Sequence, residues 1–443
     1  MKKVITYGTF DLFHEGHLNL LKQAKNLGDY LIVGVTSEYF DKSRGKFNIH
    51  DTLMTRINNV LRTGLVDEVI IEEYFGQKID DIKRYNIDIF TVGSDWTGYF
   101  DYLNDYCEVI YSKRTEGISS TKIRNKNNLK LGILGTERIV DRFISESKFV
   151  SGVELNGIFN PILNRERKCK NLLLNSYNTI DDLIENNDCI YINSPLDSRD
   201  QYIEIALKKG KHVLTEFPFC KDYHIAQKLV KLANKNNVLL MEAIKTAYCP
   251  AFIKLISIAK SGIIGKILNV EARFTQILDI DLFNEQLEIA GGSIESLSSY
   301  PLLVIFKLLG TEFIDIKFST HKEQNTDIFT KIELTYKEAI ASATVAIKAK
   351  AEGNLVITGT KGYIYVPAPW WKTEYFEVCY EDINKNNKYF YKFEGEGLRY
   401  EIVEFIKSIN NNSTQNHYFT HNEMLTEANV INLFLSKKNI TSF

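Results

Sequence analysis

Apolar positions along this chain switch between two periods. A short apolar run at 4–7 is followed by Leu18, Leu21, Ala24 and Leu27 at helical spacing, with Gly28 as a stop signal. Read this way, the N-terminal part predicts strands at 4–7, 30–35, 68–71, 87–92 and 108–111, with helices at 18–27, 51–63 and 77–85. Alternating strands and helices predict a doubly wound α/β domain on a mostly parallel sheet, ending near Arg124. The short polar stretch 125–128 reads as a linker. A second Rossmann-like α/β series follows, with strands at 131–135, 153–159, 189–193, 212–214 and 238–241. From about residue 250 the texture changes again. A helix at 250–261 precedes strands at 267–275, 330–334, 339–348, 355–358 and 363–366, and helices at 398–409 and 422–436 close the chain. Consecutive strands of this kind predict an α+β part with an open, mainly antiparallel sheet. The expected division is therefore 1–126, 129–248 and 249–443.

Bulk properties narrow the function classes. A chain of 443 residues exceeds one ordinary domain, and 44% hydrophobic with 25% charged residues is the mixture of a soluble globular protein. A net charge of -2 supplies no bulk positive field for nucleic acid. Cys107, Cys169, Cys189, Cys220, Cys249 and Cys379 form no C-x-x-C pair, which argues against a zinc site or a disulfide framework and fits a reducing compartment. Neither a signal-peptide core nor a long apolar run is visible, so a cytoplasmic protein without a membrane partner is expected.

Two stretches carry candidate chemistry in the first domain. Gly8-Thr9-Phe10-Asp11-Leu12-Phe13-His14-Glu15-Gly16-His17 lies between a strand and a helix start, where free N–H groups and the helix dipole receive phosphate. His14 and His17 can donate hydrogen bonds and carry positive charge, and Gly16 lets a ligand approach the backbone. The same two histidines can equally be ordinary capping groups. The second stretch, Arg114 to Arg124, follows the last strand of the domain and joins Arg114 to Gly117 and a Ser119-Ser120-Thr121 run. Its hydroxyls, N–H groups and guanidinium suit phosphate oxygens, or else a capped helix with an incidental arginine.

These motifs, with Gly93-Ser94-Asp95-Trp96, resemble the glycerol-3-phosphate cytidylyltransferases of the HxGH nucleotidyltransferase superfamily over residues 1–124. The resemblance implies transfer of CMP from CTP to a polyol phosphate, with Mg²⁺ bridging the triphosphate oxygens. It implies catalytic roles for His14, His17, Lys46 and Arg114, and a nucleotide site at Gly8, Thr9, Phe10, Asp11, Gly16, Asp95, Thr115, Gly117, Ile118, Ser119, Ser120 and Thr121. Arg44, Arg56, Lys78 and Trp96 are implied on the acceptor side. The family's arginine before the Val66-Asp67-Glu68-Val69 strand is Gly64 here, with Arg62 nearby, and Arg44 replaces a family lysine. Both departures bear on the acceptor, glycerol 3-phosphate or a longer alditol phosphate, more than on CTP.

Residues 130–443 resemble the Gfo/Idh/MocA oxidoreductases through Gly132-Ile133-Leu134-Gly135-Thr136, Gly210 to Pro218, Met241-Glu242-Ala243, Ile264-Gly265-Lys266 and Gly291-Gly292. That resemblance implies NADP or NAD held by Gly132, Gly135, Thr136, Ile139, Asn160, Ser194, Pro195 and Glu216, with Arg165 and Arg167 leaning to NADP. The site motifs are altered: the usual Glu-Lys-Pro is Glu216-Phe217-Pro218, the middle glycine of the dinucleotide turn is Glu137, and Ser296 beside Glu295 follows the double glycine. Lys245, at a strand end facing the cofactor edge, is the expected proton donor, assisted by Tyr300; the alternative is a solvated loop lysine. Two readings follow for this region: a reductase that makes the polyol phosphate from a sugar phosphate for cell-surface polymer synthesis, or a binding and assembly module without catalysis. Both resembled families imply a homo-oligomer, a dimer or larger.

Overall fold

The computed structural model describes residues 1–43, 49, 51–74, 76–113, 128–135, 138–160, 174–277, 291–323 and 325–443. The chain divides into two compact units, Met1–Asn128 with Phe149–Gly152, and Leu129–Lys148 with Val153–Phe443.

The first unit is built on β1 (Lys3–Gly8), β2 (Tyr30–Thr36), β3 (Glu68–Glu72), β4 (Ile89–Gly93) and β5 (Glu108–Ser112). They form one parallel sheet in the order β3-β2-β1-β4-β5. Side chains alternate across it, as the strand period requires. Val4, Leu31, Val33 and Ile89 meet Phe10, Leu21 and Val60 on one face. Ile5, Ile32, Phe90 and Val92 meet Ile82, Phe100 and Leu103 on the other. Strand order reverses at β1, so the crevice at the carboxyl ends of β1 and β4 is the switch point where such sheets take ligands. The loop after β1 and the turn Ser94–Trp96 after β4 both lie there.

The second unit holds two sheets. β6 (Leu129–Leu134), β7 (Val153–Phe159), β8 (Asn175–Ser176), β9 (Cys189–Ile192), β10 (His212–Thr215) and β11 (Leu240–Glu242) run parallel in the order β11-β10-β9-β6-β7-β8. The other sheet contains β12 (Ile267–Thr275), β13 (Asp315–Glu323), β14 (Thr326–Thr335), β15 (Ile340–Ala346), β16 (Leu355–Gly359), β17 (Tyr363–Val366), β18 (Tyr375–Cys379), β19 (Asn387–Phe390) and β20 (Ile440–Ser442). Its order is β19-β18-β17-β16-β12-β15-β14-β13-β20, antiparallel except for β12 with β15 and β13 with β20. The mixture of α/β and open-sheet parts follows the apolar pattern. β13, β19 and β20 escaped that reading because their buried positions are few, and β18 escaped it as a short strand of five residues. The first helix, Glu15–Lys25, starts three residues before its predicted bound because His14 caps it.

Candidate functional site

The loop after β1 is held in an unusual shape. Phe10 and Leu12 both take left-handed backbone conformations, with φ of 55° and 46°, which costs a residue with a side chain free energy unless its surroundings enforce it. Two devices enforce it. Asp11 Oδ1 accepts from the Asp51 N–H at 2.8 Å, and Asp51 Oδ2 accepts from the Leu12 N–H at 3.0 Å. Arg56, on the helix Leu53–Leu61, is fully buried; its Nη1 donates to the carbonyls of Thr9 (2.9 Å) and Thr36 (2.8 Å) and pairs with Asp41 at 3.4 Å. Thr9 Oγ1 in turn donates to Asp41 Oδ1 at 2.9 Å.

His14 sits at the helix N-cap with extended backbone. Its Nδ1 accepts from the Gly16 N–H at 3.0 Å, and His17 Nδ1 accepts from the His14 N–H at 3.4 Å. The two imidazoles therefore cap the helix reciprocally. A ring nitrogen that accepts a hydrogen bond carries no proton, so each neutral ring bears its proton on Nε2 and is a donor there. The rings stack with centroids 3.9 Å apart, and Phe10 packs against His17 at 5.4 Å. Capping and ligand contact are thus compatible: one nitrogen of each ring fixes the geometry while the other is a donor at the positive end of the helix.

Other predicted residues of this unit fall in different settings. Asp95 and Trp96 are exposed on the turn after β4. Arg56 and Lys78, expected at the acceptor, are not surface groups. Lys78 is ion-paired with Glu72 and lies 4.5 Å from the Tyr7 ring centroid, because a buried ammonium needs a counter-charge and an aromatic face. Arg62 is exposed at the end of its helix, and Gly64 has φ 68°, a conformation an arginine at that position would resist. Arg44, Lys46, Arg114, Thr115, Gly117, Ile118, Ser119, Ser120 and Thr121 lie outside the described residues, as do Thr136, Glu137, Arg165 and Arg167 of the second unit.

In the second unit the carboxyl ends of β6 and β9 meet at the switch point. A Cβ on Gly135 would come within 2.1 Å of the Asn193 carbonyl oxygen, and its φ is 132°. Beside it, Asn193 Nδ2 and Ser194 Oγ are buried without a hydrogen-bond partner among the described residues. A cradle that tolerates only glycine, next to two orphaned polar atoms, fits a dinucleotide. Ile139 is half-buried on the helix Arg138–Ser147, Asn160 follows β7 and Pro195 is the N-cap of the helix Leu196–Lys208.

Next to this edge lies a buried polar cluster. Glu216 is hydrogen-bonded to the Tyr191 hydroxyl. Arg199 clamps the segment by donating to the carbonyls of Glu216, Phe217 and Pro218 (3.2, 3.0 and 2.8 Å) and of Ser194 (2.7 Å). Phe217, where the resembled family has lysine, packs its ring on Tyr300 at 4.9 Å, and Tyr300 also meets Phe274 at 4.9 Å. Burial raises the proton affinity of the Glu216, Glu242 and Glu401 carboxyls and lowers that of the Lys245 amine. Lys245 is therefore not the solvated loop lysine of the alternative reading: it is largely buried, and Nζ donates to the Glu396 carbonyl at 2.8 Å.

Comparison with known proteins gives the family of each region. The cytidylyltransferase-like family profile matches residues 5–126. The glycerol-3-phosphate cytidylyltransferase of Bacillus spizizenii is 54% identical over 125 residues, 28% of this chain and 95% of that protein. The chain belongs to the cytidylyltransferase-like family. Behind the cytidylyltransferase domain, an oxidoreductase family profile with an NAD-binding Rossmann fold matches residues 129–244. Scyllo-inositol 2-dehydrogenase (NADP(+)) of Bacillus subtilis is 24% identical over 318 residues, 68% of this chain and 95% of that protein. A 3-ketoreductase of Actinomadura kijaniata, solved with NADP and TDP-benzene, shares the fold with a TM-score of 0.63 at 19% identity, covering 72% of this chain and all of that one. The cytidylyltransferase domain thus carries the histidine pair, and the oxidoreductase region carries the dinucleotide cradle.

Sequence reasoning missed Asp41, Asp51 and Glu72, the anions that hold the first loop and Lys78. It also missed Arg199 and Glu401. Only Asp51 had a local signal, standing just before Thr52, whose side chain caps the helix Leu53–Leu61.

Proposed function

We propose that the first unit transfers CMP from CTP to a polyol phosphate, glycerol 3-phosphate or a longer alditol phosphate, giving a CDP-polyol and pyrophosphate. The reciprocal His14–His17 cap is the observation that carries this reading, since it presents two fixed donors at a helix N-terminus. An oxygen of the acceptor phosphate, largely ionised at neutral pH, attacks the α-phosphorus of CTP. The bond from that phosphorus to the bridging oxygen breaks, and pyrophosphate leaves. No proton has to be removed from the nucleophile, so the protein's task is to offset charge repulsion and align the groups. His14 and His17 serve the phosphates through Nε2, and Arg56 and Lys78 support the loop and the sheet edge from within. Mg²⁺ would accompany CTP on its phosphate oxygens; among the described residues no cluster of three or more His, Cys, Asp or Glu is built to hold a metal.

The second unit is proposed as an NAD(P)-dependent reductase that converts a sugar phosphate to that acceptor, the two steps serving cell-surface polymer synthesis. When bound there, a reduced nicotinamide dinucleotide would supply the hydride for the carbonyl carbon. Lys245 gives the proton from Nζ to the carbonyl oxygen, whose new O–H bond forms as the N–H bond breaks. Asn193, Ser194 and Gly135 would hold the dinucleotide. The apolar packing of Phe217 on Tyr300 favours the rival reading, a region that binds without catalysing. Two incubations of the full chain, one with CTP, Mg²⁺ and glycerol 3-phosphate or longer alditol phosphates, the other with NADPH and triose, pentose and hexose phosphates, each followed by mass spectrometry, test the two steps. Release of pyrophosphate with a polyol phosphate supports the first reading, and its absence with every acceptor overturns it. Oxidation of NADPH by one sugar phosphate supports the second, and none with any sugar phosphate leaves the binding module.

A further inference from the structure

Three cations from separate elements of the oxidoreductase region converge on one residue. Lys372 Nζ pairs with the Glu396 carboxylate at 3.1 Å, and Arg142 Nη1 approaches the same carboxylate oxygen at 3.7 Å. Lys245 Nζ donates to the Glu396 carbonyl at 2.8 Å. Arg142 lies one turn into the helix Arg138–Ser147, which follows β6 and the Gly135 cradle, and Lys245 follows β11. β6 and β11 belong to one parallel sheet, so both cations stand at its carboxyl edge, where such sheets take ligands. Lys372 ends the turn Trp370–Lys372, which is tied to the segment after β11 by the Thr246 hydroxyl donating to the Trp371 carbonyl at 2.7 Å. The Trp371 ring stacks on Phe274 at 4.0 Å, and Phe274 meets Tyr300 at 4.9 Å. All three cations thus border the place where the dinucleotide edge, Lys245 and Tyr300 come together.

Glu396 is presented by a loop with a left-handed glycine on either side, Gly395 at φ 58° and Gly397 at φ 83°. Other carboxylates of this loop and its surroundings have cations of their own: Glu146 is held by Arg399 at 2.8 and 2.9 Å, and Glu394 by Lys392 at 2.8 Å. One carboxylate is a poor match for three cations. A phosphate monoester brings about two negative charges and three acceptor oxygens, which suits a guanidinium and an ammonium side by side. The Arg142, Lys372 and Glu396 side chains are 55%, 34% and 41% exposed. Ion pairs that wet are weak, so an incoming phosphate can take the place of the carboxylate.

We propose that Arg142 and Lys372 form the phosphate subsite of the second unit, and that Glu396 competes with the substrate's phosphate for them. The inference rests on the reductase reading and adds to it the groups by which a sugar phosphate is told from a free sugar. Lys245, held on the carbonyl of the same Glu396, puts the proposed proton donor beside that subsite.

The test uses the full chain and calorimetry with inorganic phosphate as the probe. Each titration is read as the difference from a chain carrying both Arg142→Gln and Lys372→Gln, which subtracts phosphate taken up by the first unit. In Glu396→Gln, where no anion competes, phosphate affinity at this subsite rises by about tenfold. In Lys372→Gln it falls by about tenfold, the effect of one charge-assisted hydrogen bond, while NADPH affinity stays that of the wild type and shows the fold intact. In reduction assays Lys372→Gln raises KM for the sugar phosphate by about the same factor, with kcat changed much less, and lowers the preference for the phosphorylated over the free sugar. Phosphate bound equally by the wild type, Glu396→Gln and the doubly substituted chain overturns the inference, and so does a Glu396→Gln chain that binds phosphate no more tightly than the wild type. If the wild type reduces no sugar phosphate, the reductase reading fails on its own, and the calorimetric difference still decides the subsite.

Discussion

At the scale of single residues, each histidine of the first loop caps the helix through Nδ1 and is proposed to meet the phosphates through Nε2. That separates the two roles experimentally. Asparagine is a good N-cap whose side-chain oxygen reproduces what His14 Nδ1 accepts, but it has nothing in the place of Nε2. Replacing His14 by Asn is therefore expected to change folding stability by less than about 1 kcal/mol. Cytidylyl transfer should fall by roughly 10²–10³, the usual loss when one transition-state donor is removed. Urea unfolding beside a pyrophosphate-release assay checks both halves. A variant that unfolds early while its residual transfer rate is normal would make His14 a cap alone. Arg56 shows the opposite division. Its buried Nε and Nη1 donate to Thr9, Thr36, Asp41 and Asp51 inside the protein, so its contribution passes through the shape of the loop.

At the scale of elements, most strands of the two parallel sheets and the placement of motifs at strand ends were legible from the apolar pattern. Apolar runs such as 4–7 and 30–35 bury both faces of a parallel strand and leave a continuous signal. β13 was not read as a strand, since only Ile316 and Phe318 among its nine residues are buried and apolar, and its partner β14 is supplied by the fold. The loop clasp was invisible for another reason: Asp11 and Asp51 are forty residues apart, and only the fold brings them together. Gly135, by contrast, was legible as a motif but its physical reason was not. The close approach of the Asn193 carbonyl leaves no room for a side chain there. In Gly135→Ala, β6 and β9 must separate at the edge that would hold the dinucleotide. We expect NADPH affinity, measured by calorimetry, to fall at least tenfold, and the loss of fit to lower stability by roughly 1–3 kcal/mol. Unchanged affinity would mean that the cradle is not where the dinucleotide lies.

At the scale of the whole chain, two units with separate cores carry two kinds of charge problem, and pH distinguishes them. Burial pushes the Glu427 carboxyl up to about 7, against 4.5 for the unburied group, and Glu216, Glu242 and Glu401 shift in the same direction. The folded state therefore binds more protons than the unfolded state between these values. Stability conferred by the neutral acid is fully present below about pH 4.5 and is lost as pH rises through 7. In the first unit the described buried anions are held differently: Asp41 and Glu72 sit in ion pairs with Arg56 and Lys78, and Asp11 and Asp81 accept hydrogen bonds from the Asp51 N–H and from Tyr7 and Gln77. Thermal unfolding of the full chain should show a transition raised by CTP and another raised by NADPH, since each ligand binds only its own folded unit. Between pH 5 and pH 8 the NADPH-responsive transition should move down and the CTP-responsive one should move much less. Glu427→Gln should flatten the first of these slopes, because an amide has no proton to lose. Equal slopes for the two transitions, or a slope untouched by Glu427→Gln, would show that the buried acids of the second unit are charged already at pH 5 and matched by cations outside the described residues.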